Sequence, residues 1–210
     1  MLKLFYTEVK PNEARLQPGD LHRAAHECLR QGVLSCLTGL YTETVRAVKL
    51  TLAYGPHGKP YLASHPALEI SLSHAGHIAM CAISEQELGV DVQDHRPMTR
   101  DRMMQLAARF YAPGEQAMLE KAGVATAPSD AQRELFFRIW AAKEAYAKYT
   151  GMGLAENFPS FRSDFDTMCV RSSDDNTLLG HLYEPLSLPG YSCMICTEEA
   201  GASVECVPVG

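Results

Sequence analysis

The stretch from Leu68 to Gln93 constrains the fold of this chain more than any other. Leu68, Ile70 and Leu72 alternate with Glu69, Ser71 and Ser73, the period of a strand with one buried and one polar face. The turn Ala75-Gly76-His77 leads into Ile78-Ala79-Met80-Cys81-Ala82-Ile83, an apolar run of strand length. Gly89-Val90-Asp91-Val92-Gln93 follows as another strand, and Pro97 ends the series. Strands joined by connections this short pair antiparallel, so the middle of the chain reads as an antiparallel sheet.

The flanks alternate strand and helix. Met1 to Tyr6 reads as a strand, and a Pro18-Gly19 turn with an Asp20 cap opens a helix. In it Ala25, Cys28, Leu29, Val33, Cys36, Leu37 and Leu40 recur at helical spacing. His22, Arg23, His26 and Arg30 lie away from that stripe as a small basic face, for which simple solvation is the plain explanation. Residues 98–110 read as an Arg- and Met-rich helix, and 112–130, with Gly114, Gly123 and Pro128, as a looser connection. A long helix follows, with Leu135, Ile139, Ala142, Tyr146 and Tyr149 in one stripe and Phe137, Trp140, Glu144 and Lys148 opposite. Either that second face lines a cleft, or Glu144 and Lys148 form an ordinary solvated pair at helical spacing. Tyr191 to Thr197 then echoes the apolar run at Ile78 to Ile83, so strand, helix and hairpin recur before and after about residue 98.

Length and composition bound the partners. A chain of 210 residues, 46% hydrophobic and 21% charged, suits one compact unit or two small fused halves. The 19 Lys and Arg against 25 Asp and Glu leave a net charge of −6, which argues against nucleic acid as a general partner and makes any anion site local. No apolar run approaches the ~18 residues of a membrane span, and the N-terminal strand turns polar at Thr7 and Glu8, too early for a signal peptide. A cytoplasmic protein without a membrane partner is expected. Seven irregularly spaced cysteines fit reduced thiols better than a disulfide framework. The lone Cys193-Met-Ile-Cys196 puts its thiols on opposite strand faces, which suits core packing. His22 and His26 have zinc-like spacing but lack the glutamate of a HExxH helix.

Asp91 and Gln93, two apart on a strand, share one face, while Val90 and Val92 share the other. Glu144 adds a second carboxylate. Hard oxygen ligands of this kind hold Mg²⁺, which keeps several waters and binds substrate phosphates.

Four motifs occur in order: Gly58-Lys59-Pro60-Tyr61-Leu62, Ser71-Leu72-Ser73-His74-Ala75-Gly76, Gly89-Val90-Asp91-Val92-Gln93, and Trp140-Ala-Ala-Lys143-Glu144-Ala145-Tyr146-Ala147-Lys148. In these the chain resembles the Sfp-type 4′-phosphopantetheinyl transferases, which move phosphopantetheine from coenzyme A to a carrier-protein serine. The resemblance implies an α+β protein of two similar halves, residues 1–97 and 98–210, related by a pseudo-twofold axis. Each half would be an antiparallel sheet with a packed helix, and the cleft would lie where they meet. By the same resemblance Asp91 and Glu144, with Gln93 beside them, hold Mg²⁺ (or Mn²⁺). Lys148 stabilises or protonates the departing 3′,5′-ADP. Lys59 with Pro60, and Ser73 with His74, bind coenzyme A, whose 3′-phosphate end falls to Arg23. The partner is an apo acyl- or peptidyl-carrier protein met by a monomer, with Arg100, Arg102 and Arg109 beside Met103-Met104 as the docking surface.

Two departures carry weight. The family has Glu where this chain has Gln93, and Asn and Ser where it has Ser71 and Ala75. A three-carboxylate metal site is thereby excluded, and Glu144 becomes the group to activate the carrier serine. The alternatives are a non-catalytic coenzyme A- or carrier-binding protein with a decayed metal site, and a different enzyme acting on nucleotide diphosphates.

Overall fold

Strand β5 (Ile78–Ser84) is buried along its whole length, which explains why it reads as an unbroken apolar run. Ile78, Met80 and Ala82 point to one side and Cys81 and Ile83 to the other, and each side has its own core. In the computed structural model, which describes residues 2–10, 19–38, 50–123 and 127–210, β5 pairs with β1 (Leu2–Glu8) and β4 (Glu69–Ala75). With β11 (Val204–Pro208) they form a sheet of order β11-β1-β5-β4. A second sheet has the order β6-β10-β9-β8-β7, from β6 (Leu88–Asp94), β7 (Phe161–Asp164), β8 (Cys169–Ser172), β9 (Leu178–Tyr183) and β10 (Tyr191–Thr197). A short ribbon joins β2 (Leu52–Tyr54) to β3 (Pro60–Leu62).

The two sheets pack face to face through Leu4, Met80, Val90, Val92, Cys193 and Ile195. Helix α1 (Asp20–Thr38) covers the outer face of the first sheet with Cys28, Leu29 and Val33. Helix α4 (Asp130–Thr150) covers the outer face of the second with Ala141, Ala145 and Tyr146. The result is an α+β arrangement of four layers, helix, sheet, sheet, helix. Full burial of a Leu, Ile, Val or Met in the middle core contributes about 1.5–3 kcal/mol. The CxxC thiols separate as strand alternation requires, Cys193 into the core between the sheets and Cys196 into the core under α4. All seven cysteines are free. The α1 stripe is buried through Val33, whereas Cys36 and Leu37 are exposed; Pro18 and Leu40 lie outside the described residues. Among the described residues, no helix is long and apolar enough to cross a membrane.

Three features differ from expectation. The first sheet is not wholly antiparallel, because β11 runs parallel to β1 in the register Leu2 to Val204. A strand that arrives after the entire second sheet is tied by no turn to its neighbour, so its direction is free. Sheet membership also does not change at residue 97, since β6 belongs to the second sheet and β11 to the first. The third difference is that 113–122 is a helix, α3 (Pro113–Ala122), where glycines and a proline suggested a loop. Pro113 stands in its first turn and the Glu115 carboxylate accepts from the Ala112 N–H at 2.9 Å, so these residues open a helix. Before it, α2 (Arg100–Phe110) is capped by Thr99, which accepts from the Arg102 N–H at 3.3 Å. Met103 points into a core with Tyr111, Phe136 and Phe137, so only Met104 of the Met pair stays near the surface.

Candidate functional site

The backbones of β6 and α4 approach so closely that a Cβ on Gly89 would lie 2.1 Å from the Ala145 carbonyl oxygen and 2.4 Å from the Tyr149 nitrogen. Only glycine fits there. This contact brings Asp91, two residues on, under the last turns of α4. Lys148 Nζ donates to Asp91 Oδ1 at 2.6 Å, to the Val90 carbonyl at 3.0 Å and to the Leu72 carbonyl at 3.3 Å. Ser73 Oγ donates to the same Oδ1 at 2.8 Å, and Gln93 Nε2 to Oδ2 at 2.8 Å.

The serines of β4 have a second duty. β4 and β6 are edge strands of different sheets, and Ser71 and Ser73 accept from the Val90 and Val92 N–H groups at 2.9 and 3.2 Å. Side-chain oxygens thus occupy β6 donors that the β10 ladder leaves unpaired. The Ser73 hydroxyl proton is directed to Asp91. Asp91 is only 3% exposed, deeper than a solvent-reachable strand face would put it, and it stays a hydrogen-bonded group because every donor around it is supplied by the fold.

Glu144 lies next to this pair, half-buried on α4. Burial pushes its carboxyl above the usual range, the like charge of Asp91 adds to the rise, and Lys148 opposes it. Asp91, Glu144 and the Gln93 amide are the groups of this cluster suited to offer oxygen to a metal. No group of three or more His, Cys, Asp or Glu side chains among the described residues stands ready to hold a metal ion. Two coupled acids of this kind fit a hard cation that shares its coordination with substrate phosphates. They do not fit one held by protein ligands alone.

A cleft of about 330 Å³ opens onto Asp91 and Lys148, walled by His22 and His26 of α1, Ser73 and His74 of β4, Tyr54 and Pro60. A second hollow of about 170 Å³ adjoins it through Pro60, Leu72 and Lys148, and adds Lys59, Gly151 and Gly153. Asp91, Gln93, Ser73, His74, Pro60, Lys59, Glu144 and Lys148 therefore gather in one region. Arg23, adjacent to His22, is mostly exposed and pairs with Asp20. Lys59 pairs with Glu87 and donates to the Tyr149 carbonyl at 3.1 Å. No sequence signal marked Glu87, which lies 28 residues from its partner. A larger cavity, about 560 Å³, is lined by His95, Arg138, Glu184 and the 186–190 loop and contains none of the motif residues. Size does not mark the site here.

The Lys143 of the same helical motif is elsewhere. Its ammonium is fully buried, 2.9 Å from Glu115, and donates to the Phe158 and Phe161 carbonyls at 2.8 and 2.7 Å. Glu115 Oε1 accepts from the Ser163 N–H at 2.8 Å. Phe137 and Trp140, read with Glu144 as one cleft-facing side, pack instead with α2 and α3. The cleft face of α4 is thus confined to its last turns. Arg102 lines a separate hollow of about 220 Å³ with Gln93, Met98, Leu106, Phe137 and Trp140.

Comparison with known proteins is consistent with these motifs. Residues 87–188 match the family model of the 4′-phosphopantetheinyl transferase superfamily. A 4′-phosphopantetheinyl transferase of Bacillus subtilis is 32% identical over 144 residues, 69% of this chain and 55% of that protein. The 4′-phosphopantetheinyl transferase HetI of Nostoc sp. is 35% identical over 130 residues, 60% of this chain and 52% of its own length. The 4′-phosphopantetheinyl transferase AcpT of Escherichia coli K12 is 39% identical over 101 residues, 48% of each chain. The chain spans about half the length of the curated relatives it matches.

Proposed function

The chain belongs, through residues 87–188, to the 4′-phosphopantetheinyl transferase superfamily, and from that premise we propose that it transfers the 4′-phosphopantetheine group of coenzyme A to a serine of an apo acyl- or peptidyl-carrier protein. The serine oxygen attacks the β-phosphorus, the bond to the 5′-phosphate oxygen breaks, and 3′,5′-ADP leaves with the electron pair. The observation that carries this reading is the cleft that joins Asp91, Lys148, Ser73 and His74, with Gln93 bonded to Asp91 and Glu144 close behind them.

Asp91 and Glu144, with the Gln93 amide, would hold Mg²⁺, which when bound neutralises diphosphate charge. Lys148, already next to Asp91 and partly open to the cleft, is placed to meet charge that develops on the leaving 3′,5′-ADP. Glu144, whose carboxyl burial moves toward neutrality, is suited to take the serine proton. His74 and Pro60 line the cleft and Lys59 the adjoining hollow, and we assign these with Arg23, next to His22 on α1, as the remaining coenzyme A contacts. Asp91 comes from residues 1–97 and Glu144 and Lys148 from 98–210, so we treat these halves as one working unit. Such a unit needs no second copy, and we assign a monomer. Seven free thiols favour a reducing compartment such as the cytoplasm. The non-catalytic alternative is not favoured, because the matched relatives are named as transferases.

Mass spectrometry of several apo-carrier proteins incubated with the protein, coenzyme A and Mg²⁺ tests the proposal. A phosphopantetheine mass increase on a serine is expected. Unchanged carriers across the panel, with a control transferase active, would overturn it.

A further inference from the structure

The permanent cations proposed to meet coenzyme A each have a carboxylate partner within the fold. Arg23 pairs with Asp20, Lys59 with Glu87, and Lys148 with Asp91. The next arginine along α1, Arg30, pairs with Glu27. A ligand that bears a diphosphate and a phosphate monoester therefore meets fixed charges that are largely balanced before it arrives. Taking such charge partly out of water requires opposite charge close by.

The cleft holds another source of positive charge. His22 and His26, one turn apart on α1, stand edge to face with ring centroids 4.3 Å apart. Both line the same cleft as His74 of β4. The charged and titratable groups around the three are Asp20, Arg23 and Glu27 on α1 itself, Tyr54 from β2, Asp91 from β6 and Lys148 from α4. Burial holds the His26 imidazole below its ordinary range, and His22 adds to the fall. Burial also lowers His74, with His22 and Lys148 acting the same way and a backbone hydrogen bond and Asp91 opposing. Without ligand, burial thus favours the neutral imidazole at His26 and His74.

Building on the coenzyme A function inferred for this cleft, we propose that His22, His26 and His74 form a proton-linked phosphate clamp, in which binding of the polyanionic nucleotide draws solvent protons into the cluster. No covalent bond changes. Each proton adds to a ring nitrogen and supplies charge that the paired lysines and arginines have already committed. The sign follows from linkage. Bound phosphate raises the imidazole pKa values, so the complex holds more protons than the free cleft and coenzyme A affinity falls as pH rises through the window between the two sets. Within that window each proton taken up makes the dissociation constant rise about tenfold per pH unit. The phosphate monoester releases its own last proton near pH ~6, below the range that isolates the imidazoles.

The test is calorimetric titration of the full chain with coenzyme A, and with 3′,5′-ADP as a shorter probe, between about pH 7 and 8.5 in two buffers of different ionisation heat. The apparent heat should differ between buffers by the uptake of roughly one proton near pH 7, shrinking at higher pH. A double variant, His22→Gln with His26→Gln, should lose most of that uptake, bind several-fold more weakly at the lower pH, and converge on the parent at the higher. The single variant His26→Lys, with a permanent charge, should bind with a flatter pH profile and less uptake. Coenzyme A binding with equal heats in both buffers and a flat affinity overturns the clamp and leaves the coenzyme A function standing. Absence of coenzyme A binding at every pH overturns both.

Discussion

Two lysines stand five residues apart on α4 and both face a carboxylate, yet they work in opposite ways. Lys143 has a side-chain exposure of 0%, and its ammonium contacts Glu115 and two backbone carbonyls. All three of its protons end on protein oxygens. Lys148 keeps 29% of its side chain exposed next to Asp91 and opens on the cleft. Burial pulls the Lys143 ammonium below the usual lysine range, and Glu115 recovers part of that cost. A lysine that no ligand can reach can only tie elements together. Lys143 ties α4 to α3 and to the carbonyls of Phe158 and Phe161. Lys148 also donates to three oxygens, Asp91 Oδ1 and the Val90 and Leu72 carbonyls, but it does so at the cleft surface, where a ligand can exchange for the longest of these bonds.

Removing one partner from each pair tests this contrast most sharply. Glu115→Gln leaves Lys143 charged and buried beside two carbonyls, and should cost about 3–5 kcal/mol of stability, read as a lower urea midpoint at unchanged slope. Lys148→Met takes the cation from the buried Asp91 but leaves it Ser73 and Gln93 as donors, and should cost less stability than the Glu115 variant. Its effect belongs in turnover, a loss of roughly 10²–10³-fold in kcat for carrier modification. A denaturation midpoint that drops as far as in the Glu115 variant would erase the distinction.

Gln93→Glu probes the open side of the contrast by replacing a donor to Asp91 with a like charge. Mg²⁺ affinity without coenzyme A should rise, on the order of tenfold, while the coupling between metal and coenzyme A weakens and activity is retained. Titrations of both forms with and without coenzyme A check it; identical affinities for the metal alone would show that residue 93 does not reach it. The smallest effect is expected furthest from Lys148. Charge reversal at Arg102 and Arg109, both exposed on α2, should raise the KM for an acidic carrier by a few-fold at low salt and little at high salt. Equal kinetics at low salt would place docking elsewhere.

Local periodicity made much of the fold readable. The alternation at 68–73, the apolar run of β5 and the two-residue spacing of Asp91 and Gln93 each reflect a strand in which neighbouring side chains face opposite ways, and the structure has them so. The sequence did not reveal α3, because its helix-starting signal depends on Glu115, whose carboxylate is held by residues 28 and 48 positions away. In the candidate site the residue types were legible and their partners were not. Asp91 and Lys148 are 57 residues apart, and Lys59 and Glu87 are 28 apart. Helical periodicity also grouped Phe137 and Trp140 with Lys148, although the two ends of α4 meet different neighbours.

The exchange of strands between the sheets has a kinetic side. The register from Leu2 to Val204 means that the outer edge of β1 stays bare while the rest of the chain is synthesised. Until β11 docks, a row of unsatisfied amides and carbonyls is available to pair with another molecule. Contacts between such distant positions also form slowly. Cleavage between residues 97 and 98 would strand β6 on one fragment and its partner β10 on the other, so neither fragment would carry a complete sheet. Refolding from denaturant should therefore proceed as one late, whole-chain event, with its yield falling as protein concentration rises.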